Sequence, residues 1–167
     1  MRWTTKQLSL MALLTAIALA IHVAEAQIPA PVPIPGVKLG LANIVTVYAI
    51  FTLGPGAALM ILVARILLGS LFSGVMSLFY SLAGGLLCFA VMLILRHVLT
   101  KKQIWIASVI GAVFHNIGQI LVAIVVTGTP AIVSYLPILL LSGIAAGLFT
   151  GFAAQTFIRR MDKRDMK

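Results

Sequence analysis

The chemistry available to this chain sits in a few polar residues embedded in long apolar runs. Arg65 lies about ten residues into one such run, which at 1.5 Å per helical residue is near mid-depth of a bilayer. An ionised side chain there is costly and marks a functional position by default. No aspartate or glutamate lies at that depth to neutralise it, and Glu25, the sole acidic residue outside the C-terminal tail, falls at the outer end of the first run. Arg65 must therefore serve backbone carbonyls and polar side chains as a structural residue, or bind water or an anionic ligand. Phe114-His115-Asn116-Ile117-Gly118-Gln119 places three more polar groups at mid-membrane. His115 and Gln119, four apart, share a helix face that Ser108 and Gly111 continue, while Asn116 points about 100° away. They either fix helix packing by interhelical hydrogen bonds or face a ligand. Pro35-Gly36-Val37-Lys38-Leu39-Gly40-Leu41-Ala42-Asn43 adds two donors, Lys38 and Asn43, beside glycines that permit close backbone approach. It reads as the lid of an outward cavity, or as a plain hairpin with Lys38 paired to Glu25.

What is missing narrows the chemistry. His115, with no Cys, Asp or Glu at ligand spacing, offers too few donors for a metal. No G-x-x-x-x-G-K-[ST] loop is present for ATP, and no paired carboxylates or nucleophile elbow for catalysis. The expectation is a non-enzyme without cofactor. Cys88, alone and inside an apolar run, can form no disulfide within the chain.

The elements that must hold these groups are membrane helices. Of 167 residues, 62% are hydrophobic and 9% charged, with a mean hydropathy of +1.16. A water-wetted domain carries about 25% charged residues, so lipid must be the solvent for much of this surface. Apolar runs bounded by basic residues and turn signals fall at residues 8–26, 39–53, 55–71, 76–95, 104–126 and 132–158. The fold class expected is a single all-α transmembrane domain of six helices filling residues 1–167. Between the first two runs lies Gln27-Ile-Pro-Ala-Pro-Val-Pro-Ile-Pro-Gly36, whose prolines bar a helix. With six spans, ten of the twelve basic residues (Arg2, Lys6, Arg96, Lys101, Lys102, Arg159, Arg160, Lys163, Arg164 and Lys167) share the side of the N-terminus. That side is expected to be cytoplasmic. The net charge of +9 is thus a topology signal, not a nucleic-acid footprint.

Ala24-Glu-Ala26 imitates a signal-peptide cleavage site, but the first run is long for a signal core and is expected to be retained. Its Ala12, Ala16 and Ala20 form a small-residue stripe, as do Gly143, Gly147 and Gly151 in the last run. Small residues four apart let helices approach closely in lipid. The glycines read as contacts inside the bundle; the alanines read equally as internal packing or as a face for another membrane protein.

These features together resemble a known group. Six short helices, the alanine stripe and a substantial loop before helix two resemble the substrate-binding (S) components of energy-coupling factor (ECF) transporters. More narrowly, Pro35-Gly-Val-Lys-Leu-Gly-Leu-Ala-Asn43, Arg65-Ile-Leu-Leu-Gly-Ser70 and His115-Asn-Ile-Gly-Gln119 resemble the Gx transporter family, also named heptaprenyl diphosphate synthase component I. The first resemblance implies a small nutrient bound under the loop after helix one. The reading is therefore a capture subunit for a small vitamin-like or isoprenoid-related compound, with Arg65, His115, Asn116 and Gln119 lining its cavity and Lys38 and Asn43 at its lid. The same resemblance also implies partners: a scaffold membrane subunit docked on Ala12, Ala16 and Ala20, and a pair of cytoplasmic ATPases. The second name implies prenyl-chain synthesis, for which this chain lacks the aspartate-rich motifs of a catalyst. That leaves an auxiliary subunit tied to prenyl, quinone or redox metabolism as the alternative.

Overall fold

A computed structural model of the chain describes residues 3–28 and 38–165, the last four by backbone alone. Five α-helices run in order: α1 (Thr5–Glu25), α2 (Asn43–Thr52), α3 (Pro55–Val98), α4 (Ile104–Thr127) and α5 (Leu136–Asp165). A 3-10 helix, Pro130–Tyr135, leads into α5. No strand occurs among the described residues. Four stretches are long and apolar enough to cross a membrane: Thr5–Glu25, Pro55–Val98, Ile104–Thr127 and Pro130–Met161. The outside of the molecule agrees with a lipid solvent. Val125 is 82% exposed, Leu71 79% and Leu141 70%, a surface that water would not tolerate at this density.

Helix α1 starts three residues before the expected boundary because Thr4 caps it. The Thr4 hydroxyl accepts from the Gln7 amide at 3.3 Å, and the Gln7 side chain accepts from the Thr4 amide at 3.0 Å. Thr4-x-x-Gln7 is a capping box that the sequence displays openly. The apolar runs 55–71 and 76–95 turn out to be halves of α3, whose 44 residues would stretch roughly 66 Å if straight. They do not run straight. Gly74 breaks the helix with φ 81° and ψ 169°, a conformation open to glycine and closed to most side chains. Beyond it the halves lie against one another: a Cβ on Gly85 would stand 3.1 Å from Ile66 Cδ1 and 3.2 Å from Leu62 Cδ1. Ile61, Leu62 and Ile66 from the leading half and Cys88, Phe89 and Met92 from the trailing half share one apolar core with α2.

The glycine stripe of α5 packs on α4. A Cβ on Gly147 would stand 2.7 Å from Val109 Cα, and one on Gly151 2.7 Å from Trp105 Cα, so the two backbones touch. The alanine stripe does the reverse. Helix α1 turns Met11, Leu14, Ala18, His22 and Glu25 inward and leaves Ala12, Ala16 and Ala20 exposed.

Candidate functional site

The site grows out of a break in the backbone. Helix α2 has 10 residues and rises only about 15 Å before meeting Leu53 and the Gly54-Pro55 turn into α3. Arg65, ten residues beyond Pro55, is therefore level with the start of α2. At that depth residues 38–42 are not helical. Irregular backbone inside a membrane is tolerated only where protein satisfies its polar groups. Two side chains do so here. The Glu25 carboxylate, at the end of α1, accepts from the Gly40 amide, and the amides of Leu41 and Ala42 face it as well. It thus caps α2, whose own N-cap residue, Ala42, has no side chain for the purpose. The positive φ of Gly40, 82°, bends the chain so that these amides converge. From α4, the Gln119 amide donates to the Lys38 carbonyl at 3.1 Å and accepts from the Lys38 amide at 3.3 Å.

Around this break the remaining polar groups gather. His115 Nε2 donates to the Gln119 oxygen at 3.3 Å, and its ring fills the space beside Gly40 and Gly84. Arg65 is 3% exposed and donates from one terminal nitrogen to Asn43 Oδ1 at 3.3 Å. That is its one hydrogen bond among the described residues, and its Nε has no partner. Lys38 Nζ donates to His22 Nε2 at 3.0 Å and to Ser73 Oγ at 2.9 Å, with Ser73 Oγ 3.4 Å from the same imidazole nitrogen.

Five of the six expected site residues, Lys38, Asn43, Arg65, His115 and Gln119, meet in this one cluster. Asn116 does not. Its Nδ2 donates to the Leu139 carbonyl beside Gly143, so it fastens α4 to α5. Ser108, on the expected polar face, is likewise taken up by Thr150 at 2.9 Å. The pairing of Lys38 with Glu25 gives way to Lys38 with His22 and Ser73, since the carboxylate is held by the backbone amides. His22, Glu25 and Ser73 join the cluster without having been singled out as ligand-facing. The signal for the first two was the inward register of α1, where His22 and Glu25 follow Ala18 at helical spacing. Among the described residues no three His, Cys, Asp or Glu side chains come together as a metal site.

An all-helical membrane protein with a buried, hydrogen-bonded polar cluster at an interrupted backbone is the class that fold and site define. The chain belongs to the heptaprenyl diphosphate synthase component I family, whose model matches residues 14–157 and so covers the whole cluster. No curated relative and no solved structure matches it.

Proposed function

We propose that this protein is the substrate-capture subunit of an importer in the cell membrane, S-component-like and without catalytic activity of its own. In this reading it crosses the membrane six times, α3 contributing two spans, with both termini in the cytoplasm. It docks through Ala12, Ala16 and Ala20 on an ECF-type scaffold membrane subunit that carries cytoplasmic ATPases. The observation that supports it most is the cluster at the start of α2. Interrupted helices with charged groups at mid-depth are how membrane carriers build sites for small solutes. Nothing in packing alone requires a guanidinium with an unpartnered Nε there.

A second reading follows the family's name and a separate surface. On the lipid-exposed flank between α3 and α4 lies a groove of about 530 Å³ lined by Phe79, Ala83, Leu87, Leu121 and Val125 among other apolar residues. It suits an isoprenoid or quinone chain, which a non-transporting subunit of prenyl or redox metabolism would hold. Mass spectrometry of compounds retained by the detergent-purified protein separates the two. A water-soluble compound, with co-purification of scaffold and ATPase subunits, is the result expected. Retention of isoprenoid lipid alone, without those subunits, would sink the capture reading in favour of the second.

A further inference from the structure

Resting on the capture reading, we propose that the ligand carries an oxyanion, a carboxylate or a phosphate, and that Arg65 anchors it beside the N-terminus of α2. The charge inventory leads there. Among the described residues two cations, Arg65 and Lys38, and one carboxylate, Glu25, share a site closed by amides, hydroxyls and imidazoles. The carboxylate oxygens are directed to the amides at the start of α2 and not to the guanidinium. Lys38 is turned to His22 and Ser73. Among the described residues Arg65 is left with five N–H donors, a single 3.3 Å hydrogen bond and an unpartnered Nε at 3% exposure. A guanidinium presents Nε and a terminal nitrogen as a fork that matches two oxygens of one oxyanion. The partial positive charge of a helix start favours the same sign of ligand. Glu25 lies at that start, and two cations against its one carboxylate leave the site one positive charge in excess. The carboxylate is therefore a brake on affinity: it repels the incoming anion while holding α2 in place.

The test uses melting of the purified full-length protein in detergent at constant ionic strength. Sodium phosphate and sodium acetate are the probes, and tetramethylammonium chloride is the cationic control. At least one oxyanion should raise the melting temperature saturably, and whichever does so identifies the group. Arg65→Gln should abolish the shift. Arg65→Lys, which keeps the charge but not the fork, should raise the half-saturating concentration about tenfold or more, and it decides the matter if the Gln variant does not fold. Glu25→Gln retains an acceptor for the amides and should lower that concentration several-fold. Equal shifts in wild type and both Arg65 variants, a shift with tetramethylammonium only, or weaker oxyanion binding in Glu25→Gln would each overturn the assignment. A neutral solute retained equally by wild type and Arg65→Lys would also overturn it, yet leave the capture reading standing.

Discussion

Gln119 and Glu25 do the same kind of work from opposite sides of the break at residues 38–42. Each lends a side chain to backbone groups that a continuous helix would have satisfied itself. Replacing Gln119 by Leu strands the Lys38 N–H and C=O in an apolar interior. The expected loss is about 1–3 kcal/mol for each orphaned group, seen as a lower melting temperature in detergent. If Gln119→Leu melts with wild type, the amide serves the ligand and not the backbone. At this scale the sequence was readable in proportion to contrast. Arg65, His115 and Gln119 stand out because apolar residues surround them. Glu25 and His22 do not, because polar residues at a helix end are ordinary and only their inward register reveals them. Asn116 misled for the opposite reason. Its contrast is as strong as that of His115, but a 100° turn hands it to the Leu139 carbonyl.

Among the helices, the two small-residue stripes look alike in sequence and differ in surroundings. Gly147 has no room for a side chain, with Val109 Cα 2.7 Å from where its Cβ would stand. Gly147→Leu should therefore force α4 and α5 apart and cost more than the 1–3 kcal/mol typical of overpacking. Ala16 is exposed. Ala16→Trp should leave the melting temperature and ligand retention of the isolated protein near wild type while abolishing co-purification with a scaffold subunit. Should Ala16→Trp unfold the protein, or leave co-purification untouched, the stripe is no docking face. Spacing shows that two helices can approach, and only the fold shows which approach has been used. The start of α1 was expected at residue 8, where the apolar run begins, because hydropathy does not register the Thr4-x-x-Gln7 cap. The Gly74 break was legible from its glycine, but the fold-back of one α3 half on the other needed the Leu62, Ile66 and Gly85 contacts.

Across the whole molecule, charge and apolar length carry the information. If the chain crosses six times as proposed, the basic residues predict the cytoplasmic side, and this can be checked without any ligand. Cys88 is buried and gives little background. Single cysteines introduced at Thr100 and Lys163 should be shielded from an impermeant thiol reagent in intact cells, and one at Pro33 should react. Labelling at 100 with protection at 33 would invert the topology. The polar cluster is less legible at this scale because it is assembled from α1, the 38–42 segment, α3 and α4. No stretch of sequence shows that residues as far apart as 22, 65 and 119 share one small volume.

The clasp between Glu25 and the start of α2, with Lys38 held by His22, Ser73 and Gln119, has a consequence for how this protein can diversify. Glu25 at the end of α1 and Lys38 ahead of α2 are each fastened by contacts outside the proline-rich stretch of sequence, so the positions of α1 and α2 are set by the bundle itself. The start of α2 is thus held by α1, α3 and α4 directly, and selection can vary sequence elsewhere without redrawing this part of the bundle.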